Sequence, residues 1–197
     1  MKERRQEAGP APARFIVFDT ETPNWRCDRM CSVGVCLVEE GRILGQAYAL
    51  VDPEEPFEAF HVRLHGIGPR TVAGQPNFAA LWKRLEPLFS SGVLVAHNAP
   101  FDMAVLARCL RDYGIRWKRQ VPYACTCQMA RACLRDVPDH KLHTLCRRLD
   151  IPLDHHNAAS DSLACARLLL YCLEQGVDLG RYLRQYDMER IATLRRR

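Results

Sequence analysis

The sequence predicts an α/β domain with a mixed sheet, an antiparallel hairpin plus parallel strands, flanked by helices. Three observations favour this class. An apolar run of strand length, residues 15–18, opens the folded region, two β-type runs joined by a Gly-containing turn follow it, and helical segments then alternate with short apolar strands. With 197 residues, 48% of them hydrophobic, the chain suits one domain with a substantial core.

The first strand ends in acidic residues. Its apolar run leads directly into Asp19, Thr20 and Glu21, so the strand is predicted to be central and buried on both faces. Because side chains alternate across a strand, Asp19 and Glu21 project from the same face. Two carboxylates placed in this way repel each other unless a cation lies between them. The pattern therefore predicts a divalent metal site at this strand end.

The remaining elements follow from local patterns. Residues 52–77, rich in Pro and Gly, are predicted to form a long surface loop with little regular structure. A helix is expected after Asn98, its predicted N-cap, with Pro100 near the first position and Gly114 beyond the end. The other predicted elements are a hairpin of residues 30–38 and 42–51, a helix over 78–89, strands over 92–96 and 123–126, and helices over 128–134, 142–149 and about 158–174.

Charge and composition divide the chain into three parts. These are a flexible N-terminal tail (residues 1–13), the folded domain (residues 14–176) and a basic C-terminal extension (residues 177–197). The net charge is +5, and the basic excess lies in the two tails. The final arginines, residues 195–197, are expected either to hold nucleic-acid phosphates or to be a solvated tail. The amphipathic residues after Gly176 are compatible with docking on the core or with binding a partner helix.

Composition also excludes some classes. No apolar stretch approaches the length of a membrane span, and the charged N-terminus lacks a signal-peptide core, so a cytoplasmic location without a membrane partner is expected. The ten cysteines are expected to be free and mostly buried thiols. A zinc site is disfavoured because neither cysteine pair has the spacing of zinc knuckles; the four cysteines concerned are Cys27, Cys31, Cys125 and Cys127.

Two further carboxylates and a histidine complete the predicted metal site. Asp102 falls in the first turn of its helix, where negative charge is also favourable by itself. Asp161 lies on an apolar stripe of the last helix, so it is predicted to face the sheet and to be satisfied by the cation. His156 can overhang the same site as a general base. Such ligands suit Mg²⁺ or Mn²⁺, and two ions about 3.5–4 Å apart are a standard device for phosphodiester hydrolysis.

Three short runs of sequence also carry a family resemblance. Phe-Asp-Thr-Glu-Thr at residues 18–22, His-Asn-Ala-Pro-Phe-Asp at 97–102 and His-Asn-Ala-Ala-Ser-Asp at 156–161 resemble the exonuclease motifs of the DEDD superfamily, histidine branch. The resemblance covers roughly residues 14–175 and is nearest to the proofreading epsilon subunit of bacterial DNA polymerase III and its free-standing homologues. It implies a ribonuclease H-like fold and 3′-to-5′ removal of nucleoside monophosphates from single-stranded DNA, in proofreading or DNA repair.

The resemblance also implies roles for individual residues. Asp19 would bridge both ions, Glu21 and Asp161 would complete the tighter site, and Asp102 would serve the second. His156 would be the base, with His155 as a rival that lies at a less suitable spacing from Asp161. After Glu21 the chain departs from the Thr-Gly-Leu sequence that often occurs there in the family. It is this family sequence that packs on the terminal base. The implied substrate contacts are Thr20, Thr22, His65, Gly66, Ile67 and Asn98.

Two alternatives stay open at this point. One is an enzyme of the same superfamily that trims RNA ends or degrades short oligoribonucleotides, because the choice between DNA and RNA depends on contacts to one 2′-hydroxyl. The other is a non-catalytic nucleic-acid-binding or polymerase-associated module, which the presence of all five catalytic-type residues disfavours. Nucleic acid is the expected partner in each case, with a polymerase or repair complex as a further possibility.

Overall fold

The computed structural model describes residues 14–189, so the predicted N-terminal tail and the final arginines lie outside the described residues. Its strands form one six-stranded sheet in the order β3-β2-β1-β4-β5-β6. The strands are β1 (Arg14–Glu21), β2 (Ser32–Glu39), β3 (Arg42–Leu50), β4 (Val93–Ala96), β5 (Gln120–Cys125) and β6 (Arg184–Asp187). The pairs β1·β4 and β4·β5 are parallel and the other three are antiparallel, which confirms the predicted mixed sheet.

In the described part of the chain, seven α-helices flank this sheet. They are α1 (Ala59–His65), α2 (Pro69–Val72), α3 (Phe78–Phe89), α4 (Pro100–Asp112), α5 (Thr126–Cys133), α6 (Leu142–Leu149) and α7 (Ala158–Glu174). Among residues 14–189, no helix is long and apolar enough to cross a membrane.

The first strand separates two hydrophobic clusters. Ile16 and Phe18 pack with α3 and α4 on one face of the sheet, whereas Phe15 and Val17 pack with α5, α6 and α7 on the other. Because residues two apart share a face, Asp19 and Glu21 continue the row that begins with Phe15 and Val17. The alternation along β1 therefore directs both carboxylates toward α7.

A glycine allows α7 to approach the sheet closely. Gly34 pairs with Asp19 across the β1·β2 ladder. A Cβ atom at Gly34 would lie 1.9 Å from the carbonyl oxygen of Ala158, the first residue of α7. Asn157 caps this helix by accepting hydrogen bonds from the amides of Ala159 and Ser160 at 3.1 and 3.4 Å. The close approach fixes the first turn of α7 against the acidic end of β1.

Several sequence predictions need correction. Residues 52–77 contain α1 and α2, so the prediction of little regular structure there was wrong. Ala99, not Asn98, is the N-cap of α4, and Asn98 adopts a left-handed backbone with φ 66°. Of the alternatives left open for the chain after Gly176, residues 177–189 dock on the core: they form a short 3₁₀ turn and then β6, which extends the sheet beside β5. The strand near residue 123 also begins earlier than predicted, at Gln120.

Candidate active site

Three of the predicted carboxylates meet where β1 ends. One oxygen from each of Asp19, Glu21 and Asp161 lies within 4.8 Å of the other two. Glu21 and Asp161 expose 8% and 3% of their surfaces. Asp19 is half-buried, and with its two neighbours almost fully removed from water, three negative charges at this separation are unfavourable unless a cation compensates them.

The fourth carboxylate stands beside this group. Asp102 lies in the first turn of α4 and is 3% exposed. Its Oδ1 atom accepts hydrogen bonds from the backbone amide of Thr20 at 3.1 Å and from the Thr20 hydroxyl at 2.9 Å. Thr20, which the resemblance implied as a substrate contact, is itself 4% exposed. In the structure it therefore positions Asp102 against the end of β1.

Burial and mutual repulsion shift the pKa values of these carboxyls upward. Burial, followed by the charges of Asp161 and Asp102, raises the pKa of Glu21 to about 9. Burial also raises the pKa of Asp102 to about 7, although the hydrogen bonds from Thr20 act in the opposite direction. The pKa of Asp19 is raised well above its ordinary value by burial, then by Asp102, Glu21 and Asp161. At neutral pH this pocket needs either protons or a cation.

Two adjacent histidines cover Asp161 just before α7. The backbone amide of His156 donates to Asp161 Oδ2 at 2.9 Å, and the Nδ1 atom of His155 lies 3.4 Å from Oδ1. The two imidazole rings stack with centroids 3.9 Å apart. His156 has a left-handed backbone, φ 68°, and burial followed by the charge of His155 lowers its pKa. A lowered pKa keeps the His156 ring neutral and able to accept a proton at physiological pH.

The segment His65-Gly66-Ile67 faces these histidines across a cavity. Gly66 ends α1 in the left-handed conformation, φ 74°, and the amide of Ile67 donates to His65 Nδ1 at 3.1 Å. His65 Nε2 consequently donates to the carbonyl of Thr22 at 3.1 Å, which connects α1 to the residue after Glu21. The cavity has a volume of about 220 Å³ and is lined by Tyr48, Leu64, His65, Ile67 and residues 154–157.

Two other polar residues considered from the sequence, Thr22 and His97, contact neighbouring groups within the protein. Thr22 is 5% exposed, and its hydroxyl lies 3.8 Å from the sulfur of Cys27. His97 is held between the Thr126 hydroxyl at 3.0 Å and the His140 carbonyl at 2.9 Å, and burial lowers its pKa to about 4. His97 is thus a half-buried structural histidine, and Asn98, also half-buried, lies at the turn into α4.

Comparison with protein families assigns the chain. A family model described as exonuclease (RNase_T) matches residues 16–169, which is most of the sequence. The chain belongs to this exonuclease family. The match includes all four acidic residues and His156, and it confirms the predicted superfamily and, at the level of the family, the enzyme class.

Relatives of this exonuclease include much longer proteins. The PolC-type DNA polymerase III of Bacillus cereus is 30% identical over 173 residues, which are 86% of this chain and 12% of the relative. The corresponding protein of Bacillus subtilis is 30% identical over 169 residues, 84% of this chain and 12% of that protein. The chain therefore spans about an eighth of the length of these relatives.

Solved structures support the fold. Exonuclease X in complex with 5′ overhanging duplex DNA aligns with a TM-score of 0.66 and 23% identity, covering 85% of this chain and 98% of that one. The nuclease domain of 3′hExo, a DEDDh family member bound to rAMP, aligns with a TM-score of 0.70 and 16% identity, covering 91% and 99%. E. coli Exonuclease I with a dT13 oligonucleotide aligns with a TM-score of 0.72 and 18% identity, covering 81% and 40%.

The acidic pocket of the exonuclease fits divalent metal. Its donors are carboxylate oxygens, the ligands preferred by hard cations, and they belong to the buried Glu21 and Asp161 and the half-buried Asp19. The pKa values of Asp19, Glu21 and Asp102 are raised because negative charge in this buried site is uncompensated. A bound cation would compensate that charge. Divalent metal use, which is common to the superfamily, therefore agrees with the residues of this chain.

Sequence reasoning missed an aromatic patch beside the active site. Trp25 and Phe60 stack with ring centroids 4.7 Å apart and expose 43% and 44% of their surfaces. The edge of His61 packs on Trp25 at 4.6 Å. The available signal was the four-residue spacing of Phe60 and Leu64, which places two apolar residues on one helical face. Tyr48 and Leu64, which line the cavity, were also missed.

Proposed function

We propose that this exonuclease releases nucleoside monophosphates from the 3′ end of single-stranded DNA, with two divalent cations, Mg²⁺ or Mn²⁺, as cofactors. The observation that carries the proposal is the convergence of Asp19, Glu21 and Asp161 within 4.8 Å, with Asp102 alongside. A module that only bound nucleic acid would gain nothing from a buried acidic pocket of this kind, because phosphates repel carboxylates.

Each acidic residue has a place in the proposed reaction. Asp19, Glu21 and Asp161 would hold one cation, and Asp102, fixed by Thr20, would contribute to holding the second. When bound, such ions orient the attacking water and stabilise charge on the phosphate. The neutral ring of His156 accepts the proton of that water.

The cavity and the aromatic patch supply a surface for the 3′ end. His65 and Ile67, which flank Gly66, line the cavity together with His156. A nucleotide seated there would have its phosphate near His156 and its base near the apolar side. Trp25 and Phe60 expose ring surface on which further unpaired bases can stack, and such stacking tolerates any base. These contacts favour a single strand over a duplex.

The whole protein's partners are also proposed from its relatives. The similar PolC-type polymerases contain an exonuclease region together with much additional sequence. We propose that this exonuclease acts on DNA ends produced in polymerase or repair reactions, either in a complex with a polymerase or alone.

Matched DNA and RNA oligonucleotides, labelled at either end, test the proposal. With Mg²⁺, a 3′ label should appear at once as mononucleotide, and a 5′-labelled DNA should shorten one nucleotide at a time. EDTA should stop both. Release of the 5′ label first, or hydrolysis in EDTA, would contradict the proposal. Faster loss of RNA than of DNA would assign the RNA substrate instead, and binding without hydrolysis would indicate the non-catalytic alternative.

A further inference from the structure

A second group of possible metal ligands lies beside the acidic pocket. One ligand atom from each of His155, His156 and Asp161 lies within 4.8 Å of the other two. We call these three residues the histidine site. Two of the three donors are imidazole nitrogens, whereas the donors of the acidic pocket are all carboxylate oxygens.

A third histidine adjoins this group. The His143 ring of α6 lies 5.2 Å from the His155 ring, centroid to centroid. Its Nδ1 atom is buried and has no hydrogen-bond partner among residues 14–189. A buried imidazole nitrogen without a partner is unfavourable, and such atoms are usually satisfied by a hydrogen bond, a water or an ion. His143 therefore has an unsatisfied nitrogen next to His155 and is placed to orient the His155 ring.

Donor chemistry distinguishes the two sites. Carboxylate oxygens select hard ions such as Mg²⁺ and Mn²⁺, whereas two imidazoles with one carboxylate suit borderline ions, Zn²⁺ above all. Ions can reach the histidine site, since His155 and His156 line the cavity and the His155 side chain is 37% exposed. Zinc requires nitrogen distances of roughly 2.0–2.1 Å, so the exposed His155 side chain must rotate for the site to close on an ion.

We propose that His155, His156 and Asp161 form a second cation site, which takes Zn²⁺ or a similar transition ion and competes with the acidic pocket for Asp161. The binding of the ion does not depend on the function proposed above. Its consequence for activity rests on the proposed hydrolysis: a coordinated His156 nitrogen has no lone pair left to accept a proton. Zn²⁺ is then an inhibitor that saturating Mg²⁺ does not fully displace, because the nitrogen ligands do not attract Mg²⁺.

Zinc binding is measured first, by calorimetry on the whole protein in saturating Mg²⁺. The wild type should bind Zn²⁺, and His155→Gln should weaken binding by more than the roughly 10–100-fold that loss of an outer-shell partner costs. His143→Ala should give a smaller loss, about tenfold. His61→Gln is the matched control, because His61 packs on Trp25, does not line the cavity and is not one of the clustered ligands, and it should leave zinc affinity unchanged.

Inhibition is measured second, as the Zn²⁺ concentration that halves each variant's own Mg²⁺-dependent rate. His155→Gln should raise this concentration by the factor found in calorimetry. Zinc affinity that is unchanged in His155→Gln but lost in Glu21→Gln would place the ion in the acidic pocket and overturn the proposal. If the protein hydrolyses nothing yet binds zinc through His155, the proposed function fails while the histidine site stands.

Discussion

The acidic pocket should make the metal-free protein less stable as the pH rises. Glu21 has a folded-state pKa of about 9 and an ordinary value of 4.5, so the folded protein binds its proton more tightly than the unfolded chain does. The stabilising effect of that proton is fully present below pH 4.5 and is lost as the pH rises toward about 9. Asp102 acts in the same direction between 3.8 and about 7.

Glu21→Gln isolates this effect and lets its size be worked out. At about pH 8 the folded protein still holds the Glu21 proton that the unfolded chain has released, which lowers the free energy of unfolding by at most ~5 kcal/mol, since each pH unit above 4.5 costs about 1.4 kcal/mol. A buried glutamine amide without a partner costs about 1–3 kcal/mol, which leaves a net gain of roughly 2–4 kcal/mol. For a domain of this size, each kcal/mol moves the Tm by about 2–4 °C. The Tm in EDTA should rise by roughly 4–16 °C.

Thermal unfolding followed by circular dichroism checks this prediction over a pH series, in EDTA and in Mg²⁺. Glu40→Gln is the matched control, since Glu40 is exposed at the turn between β2 and β3, and its Tm should follow the wild type. Mg²⁺ should raise the wild-type Tm at alkaline pH and raise that of Glu21→Gln much less. An identical pH dependence in Glu21→Gln and wild type, both without metal, would refute the reasoning.

Four further substitutions test the site and its support. Asp19→Ala should abolish mononucleotide release and leave the circular dichroism spectrum native, because it relieves carboxylate repulsion; full activity in Mg²⁺ would count against the assignment. His156→Ala should lower kcat by about 10²–10⁴-fold with little change in DNA affinity, whereas equal losses in both would mean that another group is the base. Trp25→Ala should raise KM for single-stranded DNA by a factor that reflects about 1–3 kcal/mol of stacking, and an unchanged KM would remove the aromatic patch from the substrate path. Gly34→Ala should lower both Tm and kcat because its Cβ meets the Ala158 carbonyl, and wild-type values would show that α7 can move without harm.

Local patterns predicted the elements that position the site. The row of alternating side chains in β1 placed Asp19 and Glu21 on one face, and the structure has them on the face that meets α7. The predicted last helix has the same bounds as α7, because its apolar stripe and the Asn157 cap lie within one contiguous segment. Asp161, an acidic residue on that stripe, does reach the pocket. In each of these cases the information lay within a few residues of the element itself.

The elements that sequence patterns missed depend on distant contacts. Helix α1 has no side-chain cap and, of its residues, buries only His61, so the Phe60 and Leu64 pair was its main local signal and the buried apolar stripe typical of a helix is missing. Its place is set by long-range contacts, among them the stacking of Phe60 on Trp25 and the bond from His65 to Thr22. Strand β6 has four polar or half-exposed residues and gains order by pairing with β5, far away in sequence. Such long-range contacts produce no local hydrophobic periodicity from which the element could be predicted.

Asp161 belongs to both proposed cation sites, the acidic pocket at the end of β1 and the histidine site in the loop before α7. Its carboxylate lies in the first turn of α7, where the helix dipole favours negative charge, and one oxygen is held by the His156 amide. The close contact at Gly34 fixes that turn over β1, so Asp161 cannot retreat from Asp19 and Glu21. An ion in the acidic pocket and an ion at the histidine site must therefore share one carboxylate. Mg²⁺ then favours the carboxylate oxygens beside Asp161 and supports activity. Zn²⁺ favours the imidazole nitrogens beside Asp161 and inhibits.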